Sequence, residues 1–292
     1  MKTIPFLRRG EPRFSPQPPT LYARPARPPK VRVALFGSFL GGYHVLKELL
    51  SGELASQVSV AGVATDDPTQ PFIHADKRLW KYPHSRDDEL IVPRLAAAQG
   101  IQVFTGRVKT AEFFDTVFTD WRPELCLMAT FGQKIPNALI RYPHLGFYNF
   151  HHSGPTWPSY PGPDPIAAMV RDGRTHLVLT IHKVTEVIDG GGFVAHSHPV
   201  AIPLGINAVE MHRITWPQMG PFIRREVGTM LQAASPYPVA DLPMIMHDTL
   251  IGYDAGSCRT RTTRPAAESV TRKSWPTSVV MPRSLIPTST WN

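Results

Sequence analysis

The chain has 292 residues, 42% of them hydrophobic, enough to bury a sizeable core in one or two domains. Its net charge of +8 sits in the two ends, because residues 1–30 carry seven Lys/Arg against Glu11 alone and residues 256–292 carry six against Glu268 alone, so the body between them is mildly acidic and does not read as a nucleic-acid surface. No run approaches the roughly 18 apolar residues of a membrane span, MKTIPFLRRG has no signal-peptide core, and two cysteines, Cys126 and Cys258, exclude a disulfide framework and point to a reducing, cytoplasmic compartment.

Residues 1–30, with SPQPPT and RPARPPK, predict an extended or disordered arm. Order begins at VRVALFG, a short apolar strand ending at Gly37. SFLGGYHVLKELLSG then turns on glycines into a helix with apolar spacing at Val45, Leu46, Leu49 and Leu50. Gln57–Thr65 reads as a second strand, DELIVPRLAAAQG as a helix stopped by Gly100, and IQVF as a third strand. TAEFFDTVFTDW is another helix, followed by the strand LCLMAT, in which Cys126 reads as a small core residue. Strand and helix in this rhythm predict an α/β protein, a Rossmann-like, mostly parallel sheet with helices on both faces. Next come a short helix, the strand GFYNF, the loop HHSGPTWPSYPGPDP and the helix IAAMVRDG. HLVLTIHKV alternates strictly and predicts a strand; GGFVAHSHPVAI reads as one more, paired after a glycine-rich turn. NAVEMHRITWPQMGPFIRREVGTMLQAAS is largely helical, broken around Pro217–Pro221. The folded body therefore runs over 31–237, and 238–292 is a largely irregular extension.

Few stretches carry chemistry. Gly37, Gly41 and Gly42 open a helix after the first strand, either as a phosphate cradle or as a plain tight turn, since the spacing is not G-x-G-x-x-G. His196 and His198 alternate on AHSHP and could offer two metal ligands, but no Cys or Glu has ligand spacing, so no metal is expected. Ser153 lies two residues from His151 without a nucleophile elbow. Asn149 and His151 leave the same face of an extended segment, with His152 opposite. Forty residues on, Asp189 precedes three glycines, as a hairpin turn residue or as a carboxylate that a ligand can approach closely.

In order and spacing, ATFGQKIP (Ala129–Pro136), GFYNFHHS with Asn149-x-His151-x-Ser153, YPGPDPI (Tyr160–Ile166) and TIHKVTEVIDGGGFVAHS (Thr180–Ser197) resemble the formyltransferase family that uses 10-formyltetrahydrofolate. The resemblance covers about Val31 to Leu231 and implies the formyltransferase fold, with 31–237 as the catalytic domain. It implies Asn149, His151 and Asp189 as the catalytic three. Thr130, Phe131, Gly132, Gln133 and Ile135, with Ile188 and Gly191, would line the pocket of 10-formyltetrahydrofolate. Ser153, Trp157, Tyr160, Gly37 and Ser38 would face the acceptor. The chain departs from the family at His152, where a proline is usual, and in about two extra residues before Tyr160. The implied chemistry is transfer of a formyl group to an amine. Asn149 and a protonated His151 would donate to the oxyanion, and Asp189 would accept the amine proton. The expected partner is a small-molecule amine, an amino-sugar nucleotide or a hydroxyornithine-like siderophore precursor, with no membrane. Initiator tRNA is disfavoured because 238–292 shows no run of alternating strands, and a homodimer is allowed for. Two other classes stand beside this one: a nucleotide-binding α/β oxidoreductase, and an inactive folate-binding relative.

Overall fold

The computed structural model describes residues 30–233 apart from Ala75 and Lys77. The expectations for the N-terminal arm, for the end of the 31–237 body and for the C-terminal extension fall outside the described residues.

β1 (Val31–Gly37) is central because both of its faces are apolar: Val33 and Leu35 enter one core, Ala34 and Phe36 the other. On one side it pairs in parallel with β2 (Val58–Ala64), which pairs in parallel with the two-residue β3 (Val103–Phe104). On the other side it pairs with β4 (Leu125–Ala129), which pairs in parallel with β5 (Phe147–Ser153). From β5 onward the sheet turns antiparallel through β6 (His176–Lys183) and β7 (Phe193–His196), while β8 (Val200–Ala201) pairs with the start of β6. The order is thus β3-β2-β1-β4-β5-β6-β7, with a reversal of winding between β1 and β4, where open α/β sheets bind ligands.

The helices cover both faces. α1 (Phe39–Leu49), the short α2 (Leu54–Gln57) and α3 (Arg86–Ala98) contribute to the larger core with α6 (Pro165–Arg171), α7 (Ala208–Thr215) and α8 (Gly220–Ala233). α4 (Ala111–Asp115) with the π-helical turn Thr116–Trp121, and α5 (Asn137–Arg141), close the second face. Cys126 is buried there, and burial pushes its thiol pKa up, as a core residue requires.

Two segments differ from expectation. The strand predicted to stop at Phe150 continues through His151, His152 and Ser153, because these residues find antiparallel partners in Thr180, Leu179 and Val178 of β6. The single strand predicted over GGFVAHSHPVAI is two, β7 and β8. Between them the Ser197 hydroxyl donates to the His198 carbonyl and accepts from the Leu179 N–H.

Candidate functional site

A cavity of about 330 Å3 lies across the C-terminal ends of the parallel strands, between the β4–α5 loop, the end of β5, the loop before α6 and the β6–β7 loop. Alternation along β5 makes it two-sided. Asn149 and His151 leave on the face of Phe147, with Ile135 and Val184, whereas Phe150 and His152 leave on the face of Ile166 and Trp216.

Asp189 is the hub. Its φ of +49° bends the β6–β7 loop so that the carboxylate turns inward over β5. Asp189 Oδ2 accepts from the Gly162 N–H at 2.8 Å and lies 3.3 Å from His151 Nε2. Oδ1 accepts from Asn149 Nδ2 at 3.3 Å and lies 3.5 Å from His182 Nε2. Burial pushes this carboxylate up, but His182, His151 and the Gly162 N–H outweigh it and hold its pKa at about 2, so Asp189 is an anion at neutral pH.

His151 does not carry the charge expected for it. Burial lowers its pKa below the usual histidine value, against the pull of Asp189 and with a further push from His182. Its Nε2 faces two acceptors, Asp189 Oδ2 and, at 3.3 Å, the Gly162 carbonyl, so the proton sits on Nε2. Nδ1 is a buried lone pair without a partner. The result is a carboxylate–imidazole dyad with its free nitrogen held neutral.

His182 was not singled out from the sequence. It pairs with Asn149 across the β5–β6 ladder, and its Nε2 stands 3.2 Å from Asn149 Nδ2. Its Nδ1 donates to the Lys183 carbonyl at 2.9 Å, and Trp157 stacks on its ring at 4.5 Å. The signal was present in the alternation of HLVLTIHKV, which puts Thr180 and His182 on one face; identifying its partner required the β5–β6 register.

Of the residues expected to hold the donor, Thr130, Phe131, Gly132, Gln133, Ile135 and Ile188 line the cavity. Gln133 spends its amide on the neighbouring loop, accepting from the Val108 N–H and donating to the Gly106 carbonyl, each at 3.1 Å. Thr130 has a φ of +53°, a strained conformation for a β-branched residue. Val187 and Ile188 are 68% and 59% exposed at the rim, apolar surface open to a flat ligand.

The rest of the expected set lies elsewhere. Gly191 is not on the wall; it lets the loop pass Lys183, whose carbonyl would lie 1.7 Å from a Cβ there, and its own carbonyl accepts from Trp157 Nε1 at 3.1 Å. Trp157 is thereby a strut behind His182. Ser153 is fully buried and shares a short hydrogen bond with the Thr180 hydroxyl. Tyr160 accepts from Arg174 Nε at 2.6 Å. Gly37 packs on Gly42, whose Cα would lie 2.7 Å from an added Cβ, so its lack of a side chain serves strand–helix contact. Ser38 is buried beneath the wall, and its hydroxyl accepts from the Asp66 N–H at 2.8 Å.

Three further polar groups line the wall, of which His212 was not singled out from the sequence. His212 Nδ1 accepts from the indole N–H of Trp216 at 3.1 Å, and burial drops its pKa to about 3. His152 lies against it at 4.6 Å, its pKa likewise pushed well down by burial, with an unpartnered Nε2. Asp66, buried at the end of β2, has a carboxyl raised to about 6 by burial, against the charge of Arg78 and hydrogen bonds from Gly132, Ser38 and Gln133. Among the described residues no cluster of three His, Cys, Asp or Glu side chains has the geometry of a metal site, and no helix is long and apolar enough to cross a membrane.

The family model described as formyl transferase matches residues 31–213, well over half of the chain. The chain is similar to the methionyl-tRNA formyltransferase of Syntrophomonas wolfei, 27% identical over 177 residues that cover 60% of this chain and 52% of that protein. It spans about half the length, or less, of the curated relatives it matches. Phosphoribosylglycinamide formyltransferase from Anaplasma phagocytophilum has a similar fold, with a TM-score of 0.52 at 18% identity, over 70% of this chain and 89% of that one. The enzyme of that name from Bacillus halodurans gives 0.50 at 20% identity, over 70% and 96%.

Proposed function

The chain belongs to the formyl transferase family, and on that premise we propose that it moves a formyl group from 10-formyltetrahydrofolate to the amine of a small metabolite. The observation that carries this reading is the convergence of Asn149, His151 and Asp189 at the middle of a two-sided cavity. The donor would occupy the side of Phe131, Ile135 and Ile188, and the acceptor the side of Phe150, His152 and His212.

The amine nitrogen attacks the formyl carbon with its lone pair, giving a tetrahedral intermediate with an oxyanion and a protonated nitrogen. Asn149 Nδ2, whose bonds to Asp189 and His182 are long at 3.3 and 3.2 Å, turns one N–H to the oxyanion. His151 begins neutral and takes the amine proton on its free Nδ1; Asp189, opposite the Nε2–H, stabilises the imidazolium that forms. That positive charge arises beside the oxyanion at the moment the oxyanion needs it. His151 then returns the proton to the leaving N10 as its bond to the formyl carbon breaks, releasing tetrahydrofolate and a formamide. The amide and the dyad each contribute on the order of a few kcal/mol to the barrier.

The test is tetrahydrofolate release from 10-formyltetrahydrofolate over a panel of small amines and methionyl-tRNA. Release that depends on a small amine and drops at least about a hundredfold in Asn149→Ala supports the reading. Release driven by methionyl-tRNA alone, or by no amine, removes it.

A further inference from the structure

The acceptor half of the cavity leaves little charge free. Leu79, Trp80, Phe150, Ile166 and Ala208 give it an apolar wall, into which the imidazoles of His152 and His212 are set. Arg78 also lines the cavity, but Asp66 meets it over Gly132, where a Cβ would lie 2.0 Å from Arg78 Nη1 and 2.5 Å from Asp66 Oδ2. Asp164 lines it too, with its carboxylate taken by Tyr82, Lys81 and the Ala167 N–H. The two imidazoles are 4% and 6% exposed, and burial keeps both uncharged at neutral pH. His212 Nδ1 accepts from the Trp216 indole, so its proton sits on Nε2. His152 packs its ring on His212 at 4.6 Å and on Trp216 at 5.5 Å, and its Nε2 is buried without a partner. One N–H donor and one unanswered imidazole nitrogen stand side by side, the complement of a group that both accepts and donates.

The helix end that binds anions in this topology is walled off from the same space. In open α/β sheets a phosphate sits on the N-terminus of the helix after the first strand. Of the described residues, none from 37 to 42 lines the cavity. Phe39, the first residue of α1, is fully buried at a φ of +52° and packs on the rings of Trp80 and His212 at 5.7 Å each. Those two rings are the wall. The N-cap Ser38 turns its hydroxyl to the Asp66 N–H at 2.8 Å, which brings a carboxyl, not a cation, to that end of the helix. A phosphate pressed against this wall would lose its hydration and meet aromatic rings and a carboxyl.

We propose that this half of the cavity selects an acceptor uncharged apart from its amine: an apolar body with one neutral hydroxyl, held between His152 and His212, while Phe39 closes the position of a phosphate. The hydroxyl donates to the His152 nitrogen and accepts from His212 Nε2–H, and the apolar body lies on Trp80, Phe150 and Ile166. His152 and His212 determine specificity by touching the acceptor; Phe39 is a positioning residue that acts through Trp80 and His212. This rests on the formyl-transfer reading for the reaction, but the preference for an uncharged ligand can be read from binding alone.

The experiment uses the full chain and two series of probes. Tyramine is compared with phenethylamine, which lacks the hydroxyl, and O-phosphotyramine, which carries an anion. The flexible series is 5-aminopentan-1-ol, pentylamine and 5-aminopentyl phosphate. Binding is measured by calorimetry and transfer by release of tetrahydrofolate. In at least one series the hydroxylated amine should exceed its deoxy partner at least about tenfold in affinity or in kcat/KM, and its phosphate ester at least about a hundredfold. His152→Phe, which keeps a ring against His212 and Trp216, should erase the first difference by raising the KM for the hydroxylated amine at least about tenfold, not by lowering kcat. Phe39→Gly, which suits the positive φ and removes the ring, should narrow the second difference at least about fivefold. Binding of none of the probes, equal use of hydroxylated and deoxy amines in both series, or a His152→Phe protein with unchanged preference overturns the proposal. So does preference for a phosphate ester, or for ornithine or a nucleotide-linked amino sugar added as further probes. If the amines bind with the expected preference and no tetrahydrofolate is released, the transfer reading falls and the selective site stands.

Discussion

Asp189 and His151 form one unit, and the resting proton on His151 sets the pH behaviour. A protonated His151 would lose activity on the alkaline side; a neutral one that must accept a proton loses it on the acid side. Burial lowers the His151 pKa and Asp189 is held at about 2, so through neutral pH the dyad is a neutral imidazole beside a carboxylate anion. Turnover, corrected for the amine's own titration, should be flat through neutral pH and fall below the ordinary histidine range. Asp189→Asn removes the anion that stabilises the imidazolium. Turnover should drop at least about a hundredfold, and the acid limb should move to lower pH, because His151 then takes up a proton less readily. A pH–rate profile of Asp189→Asn with its acid limb unmoved would show that the two side chains do not act together.

The β6–β7 connection is the element that delivers Asp189, and its stiffness is built from backbone contacts. Val184 N–H donates to the Phe147 carbonyl, Lys183 N–H to the Gly192 carbonyl, and Glu186 accepts from Asn137 and Arg141 at 2.6 and 3.0 Å. Gly191 is the tight point, since a Cβ would stand 1.7 Å from the Lys183 carbonyl oxygen, whereas a Cβ on Gly192 meets nothing within 4 Å. Gly191→Ala should therefore lower stability by about 1–3 kcal/mol and turnover with it, while Gly192→Ala should change stability by no more than about 0.5 kcal/mol. Thermal melts of the two variants side by side decide the point. Equal melting temperatures would mean that the loop relaxes around the added methyl group.

At the level of the whole molecule, three buried imidazoles tie stability to pH. Burial lowers the pKa of His151, of His152, and of His212 to about 3, so the folded chain resists protons that the unfolded chain accepts near 6.5. The stability these neutral rings contribute is fully present above that unfolded value and is lost as pH falls from it toward the folded values. The melting temperature should accordingly fall steadily from pH 7 to pH 5. His212→Phe, which keeps a ring against Phe39 and His152, should reduce the slope. A slope unchanged in His212→Phe would assign the loss to other groups.

The sequence alone determined the strand–helix rhythm and the apolar first strand, which follow from local periodicity, whereas the grouping of Asn149, His151 and Asp189 came from the resemblance of their motifs to the formyltransferase family. It could not show that β5 runs on to Ser153, because that extension exists only through its antiparallel partners on β6. His182 escaped for the same reason, its meaning residing in a register with Asn149. Gly37, Ser38, Ser153 and Tyr160 had the right residue types near the right motifs, yet packing turned their side chains or backbones to structural contacts. The charge on His151 and the meeting of Asp66 with Arg78 over Gly132 were decided by tertiary structure alone. Burial sets the cost of a charge, and only the folded chain says what is buried.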